Sequence, residues 1–132
     1  MIRVLQVVTS MNRGGLETMI MNYYRKIDKT RVQFDFLEHR DFKSDYTDEI
    51  LSMGGNIYKV PRQNPLSSSY KKALKDFFEE HKEYKIVHSH IDCMSADPLA
   101  AAKREFQMRL QIYLLVANRL ENSCMMVSLL PL

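Results

Sequence analysis

Four short apolar runs, each followed by residues with helical spacing, set the strongest limit on what this chain can become. The first, "IRVLQVV" (2–8), is β-branched and nearly continuous in hydrophobicity, as suits a strand covered on both faces. From Gly15, positions Leu16, Met19, Ile20, Tyr23, Tyr24 and Ile27 follow the three-and-four spacing of an amphipathic helix. "VQFDFLEH" (32–39) sets Val32, Phe34 and Phe36 against polar neighbours and reads as a second strand. Residues 45–53 spell a short helix closed by Gly54 and Gly55, and "NIYKV" (56–60) a third strand ended by Pro61. The serines of "RQNPLSSS" (62–69) can cap a helix carrying Tyr70, Leu74, Phe77, Phe78 and His81. "YKIVHSH" (84–90) is a fourth strand, and "SADPLAAAKRE" (95–105) opens a helix with Pro98 in its first turn. The alternation predicts an α/β domain with a mainly parallel sheet and helices on both faces.

Past Arg104 the pattern changes. "EFQMRLQIYLLVANRLENSCMMVSLLPL" (105–132) has no glycine, aspartate or lysine, and its first apolar run fits a strand or a helix equally. The expected organisation is therefore one domain over residues 1–104 and an apolar tail over 105–132 that completes or extends it. At 132 residues the chain has the length of a single domain.

Charge narrows the function classes. Nineteen basic residues face sixteen acids, and the two signs interleave, as in "KKALKDFFEEHKEYK" (71–85). Such segments are solvated faces rather than a nucleic-acid track or a strongly cationic membrane surface. The cysteines, Cys93 and Cys124, are far apart and match no metal-ligand spacing, so a reduced cytoplasmic setting is the simpler reading. No apolar stretch approaches the roughly 18–20 residues that span a bilayer.

"TSMNRGG" (9–15) joins the first strand to the first helix and holds Gly14 and Gly15, half of the four glycines. A helix that starts at a strand's carboxyl end points unpaired N–H groups outward, and glycine lets a phosphate approach that backbone. The motif is neither G-x-G-x-x-G nor a Walker loop, and a plain tight turn explains it as well. In "VHSH" (87–90), period-two alternation puts His88 and His90 on one side of their strand, with Asp92 and Cys93 directly after. Those four could ligate a metal, but no second ligand cluster exists in the sequence to complete a site.

Taken together, "MIRVLQVVTSMNRGGLETMIMNYYRKID" (1–28), "RVQFDFLEH" (31–39), "LSMGGNIYKVP" (51–61) and "YKIVHSHI" (84–91) resemble, in order, the opening of the family 4 glycosyltransferases. These are retaining enzymes of the two-domain GT-B architecture, and the likeness is closest to bacterial members that build exopolysaccharide or capsule. It covers residue 1 to about residue 104. The resemblance implies a Rossmann-like, acceptor-side domain and transfer of a sugar from a nucleotide-diphosphate donor to a glycan or lipid-linked acceptor. It implies no cofactor and no catalytic residue in this segment. Gly14 and Gly15 would lie against the donor diphosphate, and Glu17 belongs to the same signature. Asn12 and Arg13 would touch acceptor or phosphate, and His90 would face the acceptor or the transferred sugar.

The departure from the family is as informative. Its second domain, which holds the nucleotide and a pair of glutamates, has no counterpart here, and residues 105–132 do not resemble the family's next stretch. A truncated or frame-shifted reading frame is the expectation, and with it an isolated chain without transferase activity. The implied partners are a weakly held nucleotide sugar and an acceptor, with peripheral contact at the inner membrane face. The alternative is a free-standing α/β interaction module that pairs with a second copy through its tail.

Overall fold

A computed structural model of the chain describes residues 1–105 with their side chains, and the backbones of 113–117 and 124–128. The elements run β1 (Ile2–Val8), α1 (Gly15–Lys26), β2 (Val32–Glu38), α2 (Thr47–Ser52), β3 (Ile57–Lys59), α3 (Ser68–Glu80), β4 (Ile86–Ser89), a 3₁₀ turn (Asp92–Ser95), α4 (Ala96–Glu105), β5 (Tyr113–Ala117) and β6 (Cys124–Ser128). The sheet order is β3-β2-β1-β4-β5-β6. β1 to β5 are parallel, while β6 returns antiparallel to β5. This is the Rossmann-like α/β architecture that the strand–helix alternation predicts, and the first tail run, left open between strand and helix, contains β5.

Alternation along the strands sorts two cores. Leu5, Val7, Leu37 and Val87 pack beneath α3 and α4 with Tyr70, Leu74, Phe78, Leu99 and Ala102. Val8 and Phe36 face the other way, against Ile20, Met21 and Tyr24 of α1 and Ile50 of α2. Burying such a side chain contributes roughly 1.5–3 kcal/mol, so these two layers fix the register of the central strands. Within α1 the buried stripe is Ile20, Met21 and Tyr24. Met19 and Tyr23, two of the apolar positions in the predicted helical pattern, are exposed instead. The helix packs on Val8 of β1 and Phe36 of β2 through that stripe, and the flanks of its apolar arc stay in water.

Local chemistry ends the helices where the sequence says they should end. Ser67 caps α3, its hydroxyl accepting from the Tyr70 N–H. Gly54 stops α2 with a φ of +84°, a conformation that L side chains adopt at a cost. A buried carboxylate ties the amino end of the sheet together. Asp35 accepts from Nε of Arg3 at 2.6 Å, from the hydroxyl of Tyr84 at 2.7 Å and from the Asn56 N–H at 2.7 Å.

Candidate functional site at the carboxyl edge of the sheet

Ligands of open α/β sheets bind beyond the carboxyl ends of the strands, and here that edge is formed by the turn after β1 and the end of β4. The turn is rigidly held. The Met11 N–H donates to Oε1 of Glu38 at 3.0 Å and to Oγ of Ser44 at 3.2 Å. Glu38 is fully buried, accepts from the Ser44 hydroxyl as well, and is ion-paired with Lys59. His39, also fully buried, bonds the Val8 carbonyl through Nδ1 at 2.8 Å and the Tyr70 hydroxyl through Nε2 at 3.0 Å. Since a carbonyl can only accept, Nδ1 carries the proton and Nε2 accepts from Tyr70. Burial pushes the His39 imidazole below its ordinary pKa.

The tip of the turn is closed by Asp45. Its carboxylate accepts from the Arg13 N–H at 3.2 Å, and its own N–H donates to Oδ1 of Asn12 at 3.1 Å. Asn12 is thus half-buried in a structural contact, whereas the Arg13 side chain is exposed. Gly14 is the extended residue before α1, with no side chain capping the helix start. A Cβ on Gly14 would stand 2.2 Å from Oε2 of Glu17, while one on Gly15 would meet nothing within 4 Å. The two glycines therefore differ: over Gly14 lies the chain's own carboxylate, and over Gly15 the backbone is open. Gly15 and Arg13 line a shallow depression that continues along the exposed side of α1 past Thr18, Asn22 and Lys26.

At the end of β4, His90 is buried to 9% exposure and its N–H continues the ladder to the Val7 carbonyl. Its Nε2 lies 2.8 Å from Oε1 of Gln6, itself buried at 3%. The amide oxygen accepts, so Nε2 carries the proton. Nδ1 is buried and has no hydrogen-bond partner among the described residues. The rings of His88 and His90 lie 4.1 Å apart. Burial first, and then the neighbouring His88, push the His90 pKa down to about 3, and burial also lowers that of His88. At neutral pH both rings are uncharged, and His90 is a hydrogen-bonding group rather than an acid. Asp92, just beyond, adopts φ +49° and Cys93 is an exposed free thiol. Among the described residues no group of three or more His, Cys, Asp or Glu side chains gathers to hold a metal.

The turn of Asn12, Arg13, Gly14, Gly15 and Glu17 follows β1, and His90 follows the neighbouring strand β4, where its ring turns back to Gln6 while the turn leans on Asp45. The residues that hold this edge in place, Gln6, Glu38, His39 and Asp45, are not among those the sequence singles out. For three of them a signal was present: Gln6 interrupts an apolar run, and Glu38 and His39 sit where another such run ends. A polar group so placed must find a partner.

No family model matches the chain. It is 43% identical over 104 residues to the Bacillus subtilis (strain 168) protein named "Putative glycosyltransferase EpsF", a match covering 76% of this chain and 27% of that protein. The chain thus spans about a quarter of that relative's length. Its fold is similar to that of the lipopolysaccharide outer core galactosyltransferase WaaB in its apo form, with a TM-score of 0.60 at 20% identity over 86% of this chain and 32% of that one. A MycE methyltransferase of the mycinamycin biosynthetic pathway, in complex with Mg and SAH, has a TM-score of 0.54 at 14% identity over 86% of this chain and 29% of its own. One architecture thus carries sugar transfer and methyl transfer, and the fold by itself selects neither.

Proposed function

We propose, on the premise that this chain belongs to the glycosyltransferases, that it is an α/β domain from their amino-terminal half and forms one wall of a cleft where a nucleotide-diphosphate sugar meets a glycan or lipid-linked acceptor. In this reading residues 1–104 are the acceptor-side domain and residues 105–132 extend it through β5 and β6. The observation that carries the reading is the open backbone at Gly15, on the first turn of an uncapped helix at the carboxyl end of β1. Such a helix start offers N–H donors and partial positive charge to an oxyanion. The exposed Arg13 stands beside it, the Gly14 backbone borders it, and Asn12 holds its shape. Glu17 must turn away from Gly14 for a diphosphate to settle fully. His90 accepts a hydrogen bond from a sugar hydroxyl.

One wall is not a catalyst. Glycosyl transfer requires donor and acceptor held in line, with the leaving diphosphate stabilised from both sides. The isolated chain therefore shows no turnover when radiolabelled nucleotide sugars are offered with lipid or glycan acceptors, and clear transfer would contradict this. Its residual ligand affinity is the sharper test. Titration with UDP and GDP shifts the Gly15 amide resonance, and Gly15→Val removes the response. Amides of the turn that stay still at millimolar nucleotide overturn the reading. No helix among the described residues is long and apolar enough to cross a membrane. We place the domain in the cytoplasm, in peripheral contact with the inner membrane face.

A second reading rests on a different observation: β6 lies at a margin of the sheet, with ladder groups on its outer side for another strand. An interaction module that joins a second copy there would sediment as a stable dimer and ignore nucleotides.

A further inference from the structure

We propose that Gln6 is a positioning residue that fixes the tautomer of His90 and so leaves its enclosed Nδ1 as an acceptor for a hydroxyl or N–H donor that reaches it. The inference takes the sugar hydroxyl from the glycosyl-transfer reading, but the Gln6–His90 pair stands without it. Gln6 and His88 are partners in the parallel ladder of β1 and β4. The His90 ring reaches back to Gln6, 2.8 Å away. All three belong to the face of the sheet opposite Leu5, Val7 and Val87.

A neutral imidazole has one donor and one acceptor, and a bond at one nitrogen decides the role of the other. Gln6 presents its amide oxygen, which can only accept, so the ring proton is drawn to Nε2 and the lone pair is left on Nδ1. That lone pair is enclosed, with no partner among the described residues. A buried acceptor without a donor is unfavourable by roughly 1–3 kcal/mol, and such a deficit is relieved by an incoming O–H or N–H. Enclosure of the ring disfavours its charged form, so His90 acts as a neutral hydrogen-bonding group and not as a proton donor. Were Gln6 apolar, the proton would be free to move to Nδ1. The same edge would then offer a donor instead of an acceptor and would favour an oxyanion over a hydroxyl.

The test is ¹H–¹⁵N spectroscopy of the imidazoles in the whole chain at neutral pH. In the unmodified protein we expect an exchange-protected Nε2–H on His90 and an unprotonated Nδ1, with at least about fivefold excess of this tautomer. Gln6→Leu should lose the protected proton and bring the two nitrogen shifts towards each other. Gln6→Glu, which keeps an acceptor oxygen, should restore the Nε2–H signal. A protonated Nδ1 in the unmodified protein, or a protected Nε2–H that survives Gln6→Leu, overturns the proposal. The first of these measurements needs no substitution, so it decides even if Gln6→Leu fails to fold. None depends on nucleotide binding, and failure here leaves the Gly15 titration to be judged separately.

Discussion

A methyl group added at Gly14 would stand 2.2 Å from Oε2 of Glu17, and one added at Gly15 would meet nothing within 4 Å. The neighbours should therefore answer to alanine differently. Gly15→Ala sits at the first helical position with room to spare, so it should raise stability by about 0.4–1 kcal/mol through the unfolded chain, read as a higher urea midpoint. Under the proposed function it should also weaken nucleotide-diphosphate binding. Gly14→Ala must displace the end of a flexible side chain, and the effect should stay within about 1 kcal/mol. If Glu17 is what Gly14 makes room for, Gly14→Ala and Glu17→Ala should be non-additive in a double-mutant cycle. The sequence marked this corner by its glycine pair and left open whether the pair serves a close approach or a plain tight turn. That the approaching group at Gly14 is a carboxylate three residues along depends on a side-chain rotamer, and no spacing rule reports rotamers.

At the scale of elements, the second glycine pair does two jobs. Gly54 supplies the positive φ that ends α2, whereas Gly55 lets α1, α2 and β2 converge. A Cβ there would lie 2.7 Å from the Tyr24 hydroxyl, 2.8 Å from the Phe34 carbonyl oxygen and 2.9 Å from Cγ2 of Ile50. Because one neighbour is main chain, Gly55→Ala should destabilise by about 1–3 kcal/mol, seen as a lower melting temperature with unchanged far-ultraviolet dichroism. Ser67→Ala should remove the α3 cap at about 1 kcal/mol, checked by chemical denaturation. The helix stop at Gly54 and the Ser67 cap were legible, since both follow from local backbone chemistry. The need for Gly55 was not, because it arises only where α1, β2 and α2 meet in the folded chain. The same limit applies to α1: spacing identified the helix, but which of its apolar residues meet the sheet, and that Met19 and Tyr23 do not, depends on tertiary packing.

Across the whole molecule, buried neutral histidines link stability to pH. His39, His88 and His90 all lie below the ordinary imidazole pKa, with His90 at about 3. Between that value and roughly 6.5 the unfolded chain binds protons that the folded one refuses. Stability should thus be level above about pH 6.5 and decline as pH falls towards 3, with His90 alone contributing a slope of at most about 1.4 kcal/mol per pH unit. Denaturation midpoints measured at several pH values would show the decline, and His90→Gln should flatten it. The strand–helix alternation was enough to read the parallel sheet and its two cores, because periodicity reflects burial directly. Partnerships such as Gln6 with His90, which are 84 residues apart in sequence, exist only once β1 lies beside β4.

The two rims of the sheet are unequal. At β3 the rim is three residues long, and its Lys59 is occupied by Glu38 and the Phe42 carbonyl, a blunt and charged border that discourages joining. At β6 five residues run along the outside. Under the second reading a copy that docks by strand addition would take the β6 rim, and a β6-to-β6 contact would use that rim up in both molecules. Assembly by this route closes at two and has no means of growing into a fibre.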